Sequence, residues 1–232
     1  GTSENTNLLY ENYVLPYVFI GRKLEKLYAE SVLVNNYPAA RSIASHLISK
    51  GYKNFAYIGL DELCKWQDSR FIGFNEGLLR EGFELEDKNI IKIKSQNIKN
   101  EKNIDRFLRG LVNPTGIFCF HDLLAMQVLK SCQKLKIKVP EKVAIAGFDD
   151  LPIASNTTPP LTTVSYRVSE MAKIAVKLLL NQIKTGKETN TNYYIEPFLR
   201  IRGSTSTINI IPNNVISKKS IEMHDILYKI SD

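Results

Sequence analysis

Apolar and polar positions along this chain follow two rhythms that hand over to one another. Short runs rich in β-branched and aromatic residues, PYVFIG (16–21), SVLVN (31–35), NFAYIG (54–59) and NIIKI (89–93), read as strands. Between the second and third, Ala40, Ile43, Ala44, Leu47 and Ile48 recur at helical spacing, with Asn36 suited to the cap, Pro38 to the first turn and Gly51 to the end. A further helix is predicted from an Asp68 cap through SRFIGFNEGLLREG, turning Phe71, Phe74 and Leu78 inward and stopping at Gly82. Gly73 and Gly77 lie four apart on its surface, where another backbone can come close. Residues 103–111 read as one more helix.

The densest pattern runs over residues 116–163. A buried strand (GIFCF) leads into a helix (HDLLAMQVLKSCQKLKIKVP), a second buried strand (VAIAG) and the loop FDDLPIASNTTPPLTT. Polar groups stand at both strand ends, His121 and Asp122 after the first, Asp149 and Asp150 after the second. Open α/β sheets hold ligands at that place, so the pattern predicts a small-molecule pocket. Beyond it Ser169 is expected to cap a helix through EMAKIAVKLLLNQI that ends near Gly186, and YYIEPFLRIRGST supplies a last extended stretch. Strands that alternate with helices of about ten to fifteen residues indicate an α/β fold whose parallel sheet is covered on both faces.

Composition narrows the function classes. With 232 residues, 44% of them hydrophobic, the chain can bury a real core as one large domain or two small lobes. No apolar run of about 18 residues offers a membrane span. The opening GTSENTNLLYENYVLP has neither the basic nor the apolar region of a secretory signal, which makes the cytoplasm the expected compartment. Cys64, Cys119 and Cys132 are odd in number and lack CxxC spacing, arguing for buried apolar residues over a disulfide framework or zinc site. The net charge of +7 draws attention to Lys88, Lys92, Lys94, Lys99, Lys102, Arg106 and Arg109. Asp87, Glu101 and Asp105 interrupt them and no stacking aromatics are interleaved, so this is a solvated face and not a nucleic-acid groove.

At this point several motifs agree in order and spacing. VPEKVAIAGFDDLPIASNTTPPLTTV preceded by GIFCFHDLLAMQVL, together with YVFIGR, SHLISKGYKNFAYIG, DSRFIGF and the terminal LRIRGST, resembles the ligand-binding core of the lactose-repressor/galactose-repressor family of bacterial transcription regulators. The resemblance implies the two-lobed fold of periplasmic sugar-binding proteins, parallel sheets flanked by helices with the effector between the lobes. It divides the chain into a partial N-terminal lobe (1–35 and 166–195), a C-terminal lobe (36–165 and 196–206) and a tail (207–232) with a possible short helix through Ile221, Leu227 and Ile230. The family's N-terminal helix-turn-helix and further βα units have no counterpart here, so the first lobe is expected to be incomplete and DNA binding to need a domain outside this sequence.

The resemblance also nominates site residues. Arg70 matches the family's effector-contacting arginine; its planar donors suit paired hydroxyls, a carboxylate or a phosphate, the alternative being an ordinary surface pair. Asp149 matches the acidic residue that accepts from effector hydroxyls, while Asp150 is expected to satisfy local backbone N–H groups. His121 can read a hydroxyl, or it can cap the helix or partner Asp122, and Asp122 is assigned to the cap. Trp66 lies where family members line the pocket; its indole either covers the apolar face of a sugar ring or folds over the lobe's own edge. Three positions depart from the family: Gly21 replaces a common acidic residue, Ile98 stands near the usual aromatic platform, and Tyr166 occupies the place where Gln is common.

Catalysis finds no support, since Cys119 and His121 lack an orienting third group and no GxGxxG, P-loop or HExxH pattern occurs. Neither cofactor nor metal is expected. The leading function is therefore the effector-sensing, dimerising part of a transcription regulator, with the helix through Leu124, Val128 and Leu135 meeting a twin chain. The alternative on the same fold is a sugar-binding protein of a transport system.

Overall fold

A computed structural model describes residues 15–21, 23, 29–61, 68–94, 101–112, 114–187 and 189–206. Along them run β1 (Val18–Ile20), β2 (Glu30–Val34), α1 (Asn36–Ser49), β3 (Asn54–Leu60), α2 (Ser69–Arg80), β4 (Ile90–Ile93) and α3 (Glu101–Gly110). These are followed by β5 (Thr115–Cys119), α4 (Asp122–Lys134), β6 (Val143–Phe148), β7 (Thr162–Ser165), α5 (Val168–Thr185), β8 (Asn192–Ile195) and β9 (Phe198–Arg200).

The strands form two sheets. The larger has the order β4-β3-β5-β6-β7-β9, parallel throughout except for β9, which runs antiparallel beside β7. Its first five strands follow a doubly wound order whose connections change direction between β3 and β5, which opens a crevice at their carboxyl ends. The smaller sheet, β1-β2-β8, is parallel and packs Val32 and Ile195 against Met171 and Ala175 of α5.

Two-residue alternation along the central strands builds a different core on each face of the large sheet. Phe55 and Tyr57 of β3, Phe118 of β5 and Phe148 of β6 join α1 and α2 in an aromatic core, with Tyr57 and Phe118 at 5.4 Å and Phe74 and Phe118 at 5.2 Å between ring centroids. Ala56, Ile58, Ile117, Cys119, Val143 and Ile145 point the other way and pack with α3 and α4. Buried Cys119 and Cys132 belong to that aliphatic side; Cys64 lies outside the described residues.

The paired glycines of α2 explain its contact with α1. A Cβ on Gly73 would stand 2.2 Å from the Tyr37 carbonyl oxygen, and one on Gly77 would stand 2.8 Å from the Ala44 methyl. Only glycine lets the two helices approach this closely.

Several local expectations need correction. Asn36 is the first helical residue of α1, and Asn35 takes the cap position without a side-chain bond. Likewise α5 starts at Val168 with Arg167 before it, so Ser169 lies inside the first turn. The last extended stretch is two strands in two sheets, because Glu196 and Pro197 interrupt it and the chain passes from β8 to β9. Leu124 and Val128 are fully buried in the aliphatic core and partly buried Leu135 packs against it, so these three side chains close the core. The tail after residue 206 lies outside the described residues.

Candidate functional site

Polar groups converge at the carboxyl ends of β3, β5 and β6, and α2 supplies the first. The Asp68 carboxylate caps that helix by accepting from the backbone N–H of Arg70 and of Phe71, each at 3.1 Å. Its other oxygen accepts the Tyr57 hydroxyl at 2.5 Å. Asp68 is almost wholly buried, and this Tyr57 contact from β3 was not legible from spacing. It anchors the helix start, and with it Arg70, to the sheet.

The Arg70 guanidinium lies between two rings, 3.8 Å from the Phe148 centroid and 4.6 Å from that of Phe120. It donates to the Phe120 carbonyl through Nη1 and to the Asp149 carboxylate through Nη2, the latter at 3.1 Å. A guanidinium carries five donors, so these two bonds leave others for a ligand. The ion pair is 14% exposed on the arginine and 22% on the aspartate, open enough to be reached from the crevice.

Asp149 and Asp150 both adopt positive φ, 107° and 48°, in a region that side chains other than glycine rarely visit. Strain of this kind persists only where neighbours enforce it. The enforcing bonds are visible: the Asp149 N–H donates to the Val164 carbonyl, and the Asp150 N–H donates to the Thr163 hydroxyl. Burial raises the Asp149 pKa above the ordinary carboxylate value despite the opposing charge of Arg70. The Tyr166 hydroxyl donates to the same Asp149 oxygen at 3.4 Å.

His121 and Asp122 exchange the roles assigned to Asp122 from sequence. His121 occupies the cap of α4, where its Nδ1 accepts from the Leu124 N–H at 3.1 Å. That bond places the proton of a neutral imidazole on Nε2, and burial lowers the ring's pKa, so the neutral donor form prevails. Asp122 is fully buried and latches the following loop, accepting from the Thr163 hydroxyl at 2.6 Å and the Leu151 N–H at 2.8 Å. Its burial pushes the pKa up to about 6.

Asp150 is not a local backbone acceptor. It binds Arg202 at 2.6 Å and Arg200 at 3.1 Å, and these bonds outweigh burial to hold its pKa below the ordinary value. The terminal RIR segment is thereby tied to the loop that presents Asp149, a contact that sequence spacing does not reveal. Trp66 and Ile98 lie outside the described residues. Cys119 is fully buried, which raises its thiol pKa well above the ordinary value and removes it as a nucleophile.

The assembled site offers a carboxylate acceptor, guanidinium donors, an imidazole N–H and two aromatic rings, with no nucleophile beside a base. Among the described residues such a set suits hydrogen bonding to a polar ligand. Among the described residues no cluster of histidine, cysteine or acidic side chains is arranged to hold a metal ion, and no helix is long and apolar enough to cross a membrane.

Comparison with known proteins places this arrangement. Residues 44–205 match the model of the periplasmic binding protein-like domain. The chain is 27% identical over 195 residues to the HTH-type transcriptional regulator DegA of Bacillus subtilis, covering 84% of this chain and 58% of DegA. It superposes with a TM-score of 0.75 on a LacI-family transcriptional regulator from Sanguibacter keddieii, at 27% identity, covering 82% of this chain and 74% of that one. A complex of the transcriptional regulator CelR with cellobiose gives a TM-score of 0.72 at 25% identity, covering 82% of this chain and 58% of the other. The regulators named are not enzymes, in keeping with a site built for binding. The chain belongs to the periplasmic binding protein-like domain family and carries the effector-binding core of the lactose-repressor/galactose-repressor regulators.

Proposed function

We propose that this chain is the effector-sensing and dimerising part of a bacterial transcription regulator, and that it binds a sugar or sugar derivative between its two sheets. The observation that carries the reading is the Arg70 guanidinium between Phe148 and Phe120 at the strand ends, paired with Asp149, a charged platform that offers both donors and an acceptor to vicinal hydroxyls. His121 adds a donor through Nε2, and Trp66 is assigned to the same pocket. The CelR–cellobiose complex among the structural neighbours supports a carbohydrate over other small molecules.

In this reading the effector bridges the sheets and shifts their relative placement. That shift changes the affinity of a helix-turn-helix head that lies outside this sequence, through coupled equilibria. DNA is contacted only through that head, the regulator is cytoplasmic, and no membrane is involved. Thermal unfolding in the presence of sugars, sugar phosphates and purines tests the proposal. A true effector at about one hundred times its Kd stabilises by roughly 2.7 kcal/mol. Arg70→Ala should abolish the shift, and a shift that survives this change would place the site elsewhere.

A further inference from the structure

Tyr166 stands one residue after β7 and two before α5, on the crossover that carries the chain from the large sheet to the small one. Its ring packs against the aromatic core on one side and against the core of β2, α5 and β8 on the other. The Phe148 ring lies 6.4 Å away, and that ring bears the Arg70 guanidinium. Its hydroxyl donates to the Asp149 oxygen that also receives Arg70, at 3.4 Å against 3.1 Å.

Two donors therefore share one carboxylate oxygen, and the phenol holds the longer bond. A ligand hydroxyl that donates to Asp149 competes with both. The phenol yields first, since its bond is long and neutral while the arginine's is shorter and charge-assisted. Because the ring is wedged between both cores, a change at the hydroxyl is felt where the two sheets join. Resting on the effector reading above, we propose that Tyr166 is a positioning residue that reports occupancy of Asp149 to the crossover between the sheets. Effectors with a hydroxyl donor at Asp149 release the phenol; analogues lacking that donor bind without releasing it.

Amide hydrogen exchange followed by mass spectrometry on this chain tests the inference in two arms. Without ligand, Tyr166→Phe keeps the ring and removes only the hydroxyl, and Asp149→Asn weakens the acceptor. Each should speed exchange over residues 166–172 by roughly two- to tenfold, the range of one modest hydrogen bond. The double variant should be no faster than the faster single one. Unchanged exchange there in Asp149→Asn, or effects that multiply in the double variant, would overturn the proposal.

With cellobiose and with ribose as probes, the wild-type chain should change its exchange at the start of α5 on binding. Tyr166→Phe should bind the same sugar with a Kd within a few-fold of wild type and lose that change. An unaltered response in Tyr166→Phe would sink Tyr166 as the reporter while leaving the sugar reading intact. If neither sugar alters exchange anywhere in the wild-type chain, the sugar reading fails for these probes, and the ligand-free arm still decides the coupling.

Discussion

Asp122 shows how one buried carboxylate can organise the loop that follows β6. Its two oxygens accept from Thr163 and Leu151, the Thr163 hydroxyl accepts from the Asp150 N–H and Leu151 directly follows the Asp149–Asp150 turn, so the placement of that turn depends on it. A Cβ on Gly147 would stand 2.3 Å from one of those oxygens, so glycine is needed there for the carboxylate to fit. Burial raises the Asp122 pKa from 3.8 to about 6, so between those values the folded chain binds a proton that the unfolded chain releases. The stabilisation is present in full below pH 3.8 and is lost as pH rises through 6. Over the complete titration it amounts to about 3 kcal/mol. His46 acts in the opposite sense: burial lowers its pKa to about 4, so its contribution is lost as pH falls from 6.5 towards 4. Subtracting the urea-unfolding free energy of Asp122→Asn from that of wild type cancels His46. The difference should fall by about 2 kcal/mol from pH 4 to pH 7; a flat difference would mean that Asp122 ionises normally in the fold.

Among the elements, α1 and α2 meet at a contact that the sequence announced through Gly73 and Gly77. Replacing Gly73 with Ala gains about 1 kcal/mol of helix propensity but forces a methyl into the Tyr37 carbonyl. The clash should dominate and cost about 2 kcal/mol or more net, lowering the urea midpoint with little change in slope. Since α2 also presents Arg70, the variant should weaken any effector-induced thermal shift as well. A Gly73→Ala chain as stable as wild type would show that the helices separate freely. Caps were less legible than helices. Asn35, Arg167 and His121 hold the positions expected for Asn36, Ser169 and Asp122, and of the three only His121 turns its side chain back to the helix. At α4 the histidine caps because the adjacent aspartate is already engaged with Thr163 and Leu151.

For the molecule as a whole, a long-range polar seam holds the last described residues against the large sheet. His46 of α1 meets the Thr205 hydroxyl at 2.8 Å, Thr205 meets Thr162 at 2.7 Å, and the Ser204 hydroxyl donates to the Ile145 carbonyl at 2.6 Å. The chain thus leaves the large sheet at Tyr166, builds the small one with α5 and β8, and returns to finish beside β6 and β7. Three crossings join the sheets, after β2, after β7 and after β8, and a ligand-driven change in their placement would act through these segments. Dimerisation belongs to this scale too. Sedimentation equilibrium should find a self-associating dimer, and a monomer independent of concentration would count against the dimeric regulator. Leu124 and Val128 are excluded from its interface by their burial.

The sequence by itself determined the α/β class, the order of the strands and helices as far as β6, and the two strand ends that carry polar groups, whereas β7 lay within a stretch read as loop and β8 and β9 within one extended run. Those features follow from local periodicity and short motifs, which survive in one dimension. The family resemblance, and not periodicity, singled out Arg70 beside Asp149, and the fold brings the two to 3.1 Å across 79 positions of chain. Only the tertiary structure decided which partners each charge takes: Tyr57 behind Asp68, Phe120 and Phe148 around Arg70, Arg200 and Arg202 on Asp150, and Tyr166 on Asp149. The reason is physical. A periodic pattern states which face a residue turns inward, whereas hydrogen bonds and burial depend on what the sheet carries there from distant parts of the chain.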